Sequence, residues 1–385
     1  MSERHVTLTV WEDELDWLPA EPVEHTDAWV EGAGPVRWSA RRWESPVVDS
    51  TFEALELVPS WNAQTPAGTW LLVEGRVLQA SGWSPWLTFA RWTDAGVDPD
   101  HGGGAMVRTT VKDQPVEGGR MAHDAFVADP ASPFSAWQVR LTALSERDHG
   151  PWPTVSLVAA CVSAVTVGAD EPTSRPGVAR GVEIAVPPHS QRLHVDTFAH
   201  WDEGGQSWCS PTSTTMLLEH WGHAPTADET AWVGDRPDPA VVHAVSRVYD
   251  AAFAGAGNWA FNAAYAATRG LRAYVTRLRD LTEVEAFVAA GVPVVVSVAF
   301  EPEQLDGAGY GTSGHLLTVV GFTPEGDVVS NDPNSHRIPS NDEVRTVYRR
   351  DQFERVWLGT NGGMTYVMHP ADHPLPPPPA EANWA

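Results

Sequence analysis

A cysteine, a histidine and an aspartate are placed in this sequence where they could support nucleophilic catalysis. Cys209 directly precedes a helix-forming run, and a helix N-terminus favours the nucleophilic thiolate through its dipole and its unpaired N–H groups. His315 opens the apolar strand LLTVVGF, and Asp332 ends the next predicted strand. In that arrangement the imidazole can take the thiol proton, and the carboxylate can orient the imidazole and stabilise its charged form.

Each of these residues also has a plainer interpretation. A lone cysteine is more often a small buried hydrophobic residue, a histidine at the start of a strand is usually structural, and an Asp-Pro pair is usually a turn. Taken together, a cysteine before a helix, a histidine on a strand and an aspartate after the next strand follow the chain order of papain-like cysteine peptidases. That order favours a catalytic set over three unrelated structural residues.

The segment from about Gly181 to His369 resembles the papain-like cysteine peptidases of the bacteriocin-leader-processing type, the thirty-ninth cysteine peptidase family, in an actinobacterial form without a transporter. The resemblance rests on the stretches VPPHSQ, GGQSWCSPTSTTMLL, GNWAFNAAYAA, GVPVVVSV, SGHLLTVVGF and VSNDPN. It implies that Cys209 is the nucleophile, His315 the general base and acid, and Asp332 the orienting carboxylate. It also implies a peptide or protein substrate and no cofactor.

The resemblance further implies an oxyanion donor and cleft residues. Gln191, in VPPHSQ, would donate to the oxyanion together with the backbone N–H of Cys209. In the leader-processing members this glutamine lies only a few residues before the cysteine. Here Gln191 is further away and Gln206 is closer, so Gln206 is the alternative donor. Trp208 and Trp259 are implied to line the cleft and to bind substrate.

The second half of the sequence must hold these residues, and its pattern is α+β. Apolar residues at helical spacing predict one helix over CSPTSTTMLLEHWG and another from Pro239 to Phe253. Thr282 and Glu285 have the spacing of a capping box, and Gly291 is placed to end that helix before the strand VVVSVAF. Further predicted elements are the strands GHLLTVVGF, DVVSND, VRTVYRR and MTYVMH and the short helix DQFERVW.

From about Val6 to Val167 apolar and polar residues mostly alternate with period two, which is typical of half-buried strands. The predicted strands are WQVRLTAL, Trp70–Leu78, Trp86–Trp92, Met106–Val111 and Val155–Val167. Short strands separated by turn residues predict an antiparallel β-sandwich or jelly roll. This half also resembles the accessory β domain of actinobacterial members, through SWNAQTPAGTWLLVEGRV, GWSPWLTFARW and AWQVRLTAL.

Five tryptophans of this β domain could form a carbohydrate-stacking platform, since aromatic faces suit sugar rings. They are Trp61, Trp70, Trp83, Trp86 and Trp92. The alternation of apolar and polar residues instead favours several of them as core residues. A cell-wall or carbohydrate ligand for the β domain is therefore one expectation, and a purely structural role of these tryptophans is the other.

Glycines and prolines between residues 168 and 181 interrupt the pattern and mark a predicted domain boundary. We therefore expect a β-sandwich accessory domain over residues 1–175 and a papain-like cysteine peptidase domain over residues 176–370. The proline-rich stretch over residues 371–385 is expected to form an extended, mobile tail.

Composition excludes several classes of protein. The chain has 25 Lys and Arg against 50 Asp and Glu, and its formal net charge of −25 repels phosphate backbones, so nucleic acid is not an expected partner. Two cysteines cannot form a disulfide scaffold or a four-cysteine zinc site. The spacing of His194, His200 and Asp202 matches no helix-borne ligand pair, so no metal is expected.

The sequence contains no stretch long and apolar enough to span a bilayer and no signal peptide at its start. The expected compartment is therefore the cytoplasm, although relatives of this type are often exported. Cys161, in the apolar run LVAACVSAV, should be buried and unreactive.

These observations favour a cysteine peptidase that hydrolyses a peptide amide bond through a thioester on Cys209. One alternative is an amidase or acyltransferase on the same fold, acting for example on peptidoglycan stem peptides. The other is a catalytically idle protein whose papain-like half only binds peptides.

Overall fold

The protein is described by a computed structural model that covers residues 4–12, 15–25, 36–96, 108–164 and 173–385. The strands of the first half are β1 (Val6–Trp11), β2 (Glu21–His25), β3 (Val36–Glu44), β4 (Val48–Ala54), β5 (Glu56–Gln64), β6 (Thr69–Gln79), β7 (Gly82–Trp83), β8 (Leu87–Trp92), β9 (Gly119–Met121), β10 (Phe126–Ala128), β11 (Phe134–Ser145) and β12 (Thr154–Ser163). Among the described residues this half is thus built from strands.

These strands form two sheets. One has the order β1-β12-β5-β10-β9. The other follows the path β2-β3-β11-β6-β7, with β4 paired to β11 and β8 paired to β6. The strand pairs within both sheets are antiparallel. Apolar residues of both sheets belong to the same core.

The second half has an antiparallel sheet covered by helices. Its strands are β13 (Arg272–Arg277), β14 (Val294–Phe300), β15 (Thr312–Phe322), β16 (Val328–Asn331), β17 (Arg345–Tyr348) and β18 (Met364–His369), in the sheet order β13-β18-β14-β15-β16-β17. Its helices are α1 (Cys209–His220), α2 (Ala227–Thr230), α3 (Pro239–Val248), α4 (Trp259–Thr268), α5 (Leu281–Ala289) and α6 (Arg350–Asn361). Helix α1 packs against β15, α3 and α4. Sheet and helices together give the mixed α and β architecture expected for this half.

Several predicted strands are confirmed. Trp70–Leu78 lies within β6, Trp86–Trp92 contains β8, and WQVRLTAL lies within β11. The predicted strand Val155–Val167 corresponds to β12 as far as Ser163, and residues 165–167 lie outside the described residues. The period-two pattern therefore identified strands where one face of the sheet is buried.

The predicted strand Met106–Val111 is wrong in its described part. Residues 106 and 107 lie outside the described residues, and the remainder makes only an isolated bridge between Thr109 and Arg91. The reason is that this segment reaches the second half of the chain. Thr110 binds the carboxylate of Asp250 through its N–H at 3.0 Å and its hydroxyl at 2.8 Å.

Helix α1 begins at Cys209 as predicted, but two helix predictions need correction. Helix α3 ends at Val248 and does not reach Phe253. The predicted capping box is also wrong, because Asp280 caps α5 and accepts from the N–H of Thr282 at 2.8 Å. Glu285 is instead fully buried and forms an ion pair with Arg350 of α6, with 2.7 Å between Glu285 Oε1 and Arg350 Nη1.

The two halves of the chain share one apolar core. Phe261 of α4 packs against Trp61 and Trp92 of the β half, with ring centroids 6.1 and 5.3 Å apart. Strand β12 packs against β13, which explains why its successive residues are buried and its sequence is apolar on both faces. The division at residues 175 and 176 stays a prediction, and the interface between the halves is continuous.

Residues 371–385 are docked on the protein, so the expected mobile tail is wrong. The carbonyl of Ala382 accepts from the N–H of Leu8 in β1 at 2.9 Å. The side chain of Asn383 donates to a backbone carbonyl of β13 at 2.8 Å, and Trp384 is 4% exposed. The prolines keep the stretch extended, but the residues that follow them bind both halves.

The tryptophans of the β half do not share a surface. Three of them are buried, with 1% or less exposed: Trp61, Trp70 and Trp92. Trp83 and Trp86 lie nearer the surface, with the guanidinium of Arg76 at 4.7 and 4.5 Å from their ring centroids. The expected five-residue platform is therefore wrong, because the strands turn three of these side chains into the core. A carbohydrate ligand for this half stays a prediction without that platform.

Candidate active site

Cys209 is the first residue of α1 and lines a cleft between the two halves of the chain. The residue at the N-cap, Trp208, makes no side-chain cap to the helix, so no side chain at that position occupies its first N–H groups. The thiol is mostly buried and 8% of Cys209 is exposed. The sequence thus places a sulfur where a helix dipole favours an anion and where a substrate can reach it.

His315 on β15 is joined to Asp332, which directly follows β16. The antiparallel pairing of these strands places the residue before Asp332 opposite Thr318, and so brings the carboxylate to the imidazole. His315 Nε2 is 2.8 Å from Asp332 Oδ1. Because Nε2 faces the carboxylate, Nδ1 is the ring nitrogen left for Cys209, whose charge is one of those that act on the imidazole.

The surroundings of His315 favour its protonated form. Burial by itself would lower the pKa of His315, but the charges of Asp332 and Cys209 outweigh burial and raise the pKa to about 10. Burial opposes the charge of Asp332 as well, yet the His315 charge holds the pKa of this carboxyl below its usual value. An imidazolium beside a thiol sulfur favours the nucleophilic thiolate.

Two tyrosines hold Asp332 in place, and the sequence analysis identified neither. The hydroxyls of Tyr310 and Tyr348 donate to Asp332 Oδ2 at 2.8 and 2.6 Å. The N–H of Asn334 donates to Oδ1 at 2.9 Å. Burial and the adjacent carboxylate raise the pKa of both tyrosines well above the usual value, so both remain donors. Tyr348 alternates like a core residue of a strand and Tyr310 lies in a glycine-rich loop, so neither carried a signal.

Gln191 begins a short 3-10 turn and lines the cleft, although only 1% of it is exposed. Its Nε2 donates to the carbonyl of Gln206 at 2.8 Å, and its backbone N–H donates to the carbonyl of Pro333 at 2.9 Å. An amide nitrogen carries two hydrogens, so one N–H of Gln191 stays available for a substrate oxygen. Gln206 also lines the cleft, but its side chain is exposed.

The cleft encloses about 820 Å³, a volume typical of small-ligand sites. One wall comes from the second half, with Gln191, Cys209 and His315. Another wall comes from the β half, where residues of β9, β10 and the turn between them face the same space. The candidate nucleophile therefore lies between the two halves.

Comparison with known protein families matches both halves of the chain. Residues 183–364 match the Peptidase_C39 like family, and residues 4–163 match the Peptidase C39 N-terminal domain. Each half of the chain is thus similar to a domain of C39 peptidases. The resemblance inferred from the motifs around Cys209, His315 and Asp332 is thereby confirmed at the level of the family.

Two further comparisons add little to this assignment. A crystal structure described as a C39-like peptidase from Bacillus anthracis aligns with 48% of this chain and 96% of its own, at 15% identity and a TM-score of 0.29. A TM-score this low supports no conclusion about the fold or the function. A search of curated proteins found no match.

Two tryptophans were expected to line the cleft. Trp259 does so, and Trp208 does not. Trp259 is the first residue of α4. Trp208 has no exposed surface, and its indole N–H donates to the carbonyl of Trp201 at 2.7 Å. The expectation for Trp208 is wrong because its indole packs into the core against His194, with ring centroids 5.5 Å apart.

Three aspartates that are mostly buried also line the cleft: Asp124, Asp202 and Asp250. Burial raises the pKa of Asp124 to about 7 and that of Asp202 to about 6. Burial also raises the pKa of Asp250, which is held by Thr110. Asp202 accepts from the N–H of Ala256 at 2.9 Å. The sequence analysis did not single out Asp124 or Asp250, because nothing in their local sequence distinguishes them from surface acids.

His194, His200 and Asp202, the residues considered as metal ligands, have different surroundings in the structure. His194 is fully buried, burial lowers its pKa to about 4, and neither ring nitrogen has a hydrogen-bond partner among the described residues. His200 is exposed. Within the described ranges no group of three or more His, Cys, Asp or Glu side chains could hold a metal ion.

No helix in the described part of the chain has the length and apolar character needed to cross a bilayer.

Proposed function

We propose that this protein is a cysteine peptidase that hydrolyses a peptide amide bond through a thioester on Cys209. One observation carries the proposal: a thiol at a helix start shares a cleft with His315, whose Nε2 lies 2.8 Å from Asp332. The similarity of residues 183–364 to the C39-like peptidase family supports the reaction class. The contacts of the side chains support the individual roles.

In the acylation step, Cys209 Sγ attacks the substrate carbonyl carbon and forms the C–S bond. The carbonyl oxygen becomes an oxyanion, which the backbone N–H of Cys209 and the available N–H of Gln191 would stabilise. The intermediate then collapses: His315 gives its proton to the leaving nitrogen, the C–N bond breaks, and the amine departs. The acyl part of the peptide is left as a thioester.

In the deacylation step, water attacks the thioester carbonyl while His315 takes one of its protons. The C–S bond breaks, the carboxylic acid leaves, and the thiolate and imidazolium are restored. Asp332 keeps its charge throughout and stabilises the imidazolium. Tyr310 and Tyr348 hold that carboxylate in place by their hydrogen bonds to Oδ2.

The arrangement also supports two finer assignments of fold. A helix that begins at the cysteine, packed against an antiparallel sheet that carries the histidine, supports a papain-like fold for the second half. Two antiparallel sheets whose apolar residues share one core support a β-sandwich for the accessory half. We therefore propose a papain-like fold for the second half and a β-sandwich for the first.

The test is incubation of the full chain with a mixed peptide library, followed by mass analysis of the products. Wild type and Cys161→Ala should release the same peptides with new carboxyl ends, and Cys209→Ala should release none. Cys161→Ala is the matched control because it removes a second buried thiol that lies outside the cleft.

Two results would replace the proposal. Products capped by an added amine would show that the acyl acceptor is an amine, and the protein would then be an acyltransferase. Tight binding of peptides by wild type and Cys209→Ala alike, with no cleavage of any library member, would favour an idle peptide-binding protein.

A further inference from the structure

The β half contributes a wall to the catalytic cleft, and that wall is anchored to the second half. Residues 120 and 122–125, at the turn between β9 and β10, line the same cleft as Cys209 and His315. Asp124 Oδ2 accepts the N–H of Trp259, the first residue of α4, at 2.7 Å. The ring of the neighbouring residue, His123, packs against Phe253 of the second half, with ring centroids 3.5 Å apart.

Asp124 is a buried carboxylate that lines this cleft, and one of its two oxygens binds no other described residue. It is 7% exposed and lines the cleft. Its Oδ2 is taken by Trp259, whereas Oδ1 makes no hydrogen bond to another residue of the described ranges. Burying a charge without a partner is costly, and burial raises the pKa of Asp124 to about 7. A positive group placed beside Oδ1 would remove that cost.

The remaining charges around the cleft favour a positive ligand as well. Asp202 and Asp250 line the cleft with Asp124. Glu56 also lines it, and its charge is matched by a hydrogen-bonded ion pair with Arg277. The other arginine of the lining, at position 120, is exposed. A cleft lined by more carboxylates than cations makes the binding free energy of a cationic ligand more favourable than that of an anionic one.

We propose that Asp124 is a specificity-determining residue that binds an ammonium or guanidinium group of the peptide whose amide bond Cys209 attacks. The β half thereby selects the substrate of the peptidase half. This inference rests on the proposed function, because it takes Cys209 as the nucleophile of the cleft. The cation could belong to a basic side chain or to a free α-amino end, and the peptides used below separate these two sources.

The variant that tests this role is Asp124→Asn. Asparagine keeps an oxygen that can accept the Trp259 N–H, so the contact at the start of α4 is retained and only the charge is lost. The matched control is Asp280→Asn, since Asp280 caps α5 by accepting from the N–H of Thr282 and lies outside the cleft lining. A purely structural role of Asp124 predicts the same behaviour for both variants.

The first experiment compares the rates at which Cys209 of the full chain reacts with three alkylating reagents. These are 2-bromoethylamine, which is cationic, iodoacetamide, which is neutral, and iodoacetate, which is anionic. The ratio of the cationic to the anionic rate should fall about three- to tenfold in Asp124→Asn, because one nearby negative charge is removed. Asp280→Asn should keep the wild-type ratio.

A second variant covers the case in which Asp124→Asn does not fold. Arg120→Gln removes an exposed positive charge of the cleft lining and should raise the same ratio about twofold. If neither cleft variant changes the ratio, the inference is wrong. The ratio can be measured at any absolute rate, so slow labelling of Cys209 would count against the proposed function and leave this test intact.

The second experiment uses peptides that the wild-type protein cleaves. If the cation is a basic side chain, Nα-acetylated peptides with Lys or Arg should lose about tenfold in kcat/KM in Asp124→Asn, whereas matched acetylated peptides with Met or Gln should be unaffected. If the cation is the α-amino end, every peptide with a free amine should lose about tenfold, and the loss should disappear on acetylation. Equal losses for basic and neutral peptides that persist after acetylation would overturn the inference, because they indicate a structural defect.

Discussion

The protein holds two buried cysteines in contrasting environments, and the contrast shows what makes a thiol reactive. Cys161 lies within β12 and is 1% exposed, and burial raises its pKa. The charge of Arg277 and a hydrogen bond from Thr276 Oγ1 at 3.9 Å oppose that effect but do not reverse it. Cys209 is 8% exposed and begins a helix in a cleft that it shares with His315. Burial hardly separates the two, and each has a cationic neighbour, so the helix start and access from the cleft distinguish Cys209.

Two histidines repeat this contrast. Burial opposes protonation of both His189 and His315, yet neighbouring negative groups raise the pKa of His189 to about 9 and that of His315 to about 10. His189 is bound on both nitrogens, by Glu219 at 2.8 Å and by Asp238 at 3.2 Å. His315 is bound by a carboxylate on Nε2 only. His315 thus differs from His189 in having a ring nitrogen, Nδ1, that no carboxylate of the described residues binds, and the proposed function assigns that nitrogen to Cys209.

The largest expected effect of this contrast is on turnover. Cys209→Ala and His315→Ala should each lower kcat by at least about 10³-fold, and the double variant should be hardly worse, because the two residues act as one unit. Cys161→Ala should leave kcat unchanged. The measurement is kcat on a peptide that the library screen identifies. Losses that multiply in the double variant would show that the cysteine and histidine act independently.

The second prediction separates the two glutamines of the cleft. Gln191→Ala should lower kcat about 10²-fold with little change in KM, which is the usual cost of removing one oxyanion donor. Gln206→Ala should have a small effect, because that side chain is exposed while its carbonyl remains to hold Gln191. Steady-state kinetics of both variants on one peptide measure the difference. The opposite pattern would assign the oxyanion to Gln206.

The third prediction concerns the carboxylate. Asp332→Ala should lower kcat about tenfold, less than the loss of the general base itself, since water can partly replace an orienting group. Asp332→Asn should be milder still, because the amide oxygen can accept from His315 and the amide nitrogen can donate to the hydroxyl oxygens of Tyr310 and Tyr348. Kinetics of the two variants, with thermal unfolding to confirm the fold, test this order. An unchanged rate in Asp332→Ala would place the orienting role elsewhere.

The smallest expected effect is the pH dependence of stability through His189. Its pKa is about 9 in the folded protein and about 6.5 when unfolded, so its ion pairs stabilise the fold fully below pH 6.5. That contribution, about 3 kcal/mol, is lost as the pH rises through 9. His189→Gln should therefore destabilise the protein more at pH 6 than at pH 10 in urea unfolding. A difference independent of pH would mean that His189 acts through packing alone.

The candidate catalytic residues could be predicted as a set because their signals are local. Cys209 precedes a helix whose start is marked by its own sequence, and His315 and Asp332 lie on or directly after successive strands. Strands that follow each other along the chain often pair, so the pattern brought these residues together. The family resemblance rested on the same stretches and is confirmed.

The rest of the site depends on contacts between distant parts of the chain. Tyr348 and Asp124 look like ordinary strand and surface residues in the sequence, and only tertiary packing brings one to Asp332 and the other to Trp259. Trp208 was misassigned because a position beside the nucleophile does not fix where the indole points. Residues 371–385 looked mobile for the same reason, since the groups that bind Ala382 and Asn383 lie in strands far away in the chain.

The central claim is that Cys209 and His315 form a reactive pair while Cys161 is inert, and alkylation of the native protein tests it most directly. With iodoacetamide at pH 7, one equivalent should react quickly and map to Cys209, and Cys161 should react only after unfolding. The rate at which Cys209 reacts should fall in His315→Ala, because the imidazole that takes the thiol proton is removed. Similar labelling rates for both thiols, or a Cys209 rate that does not respond to His315→Ala, would contradict the account.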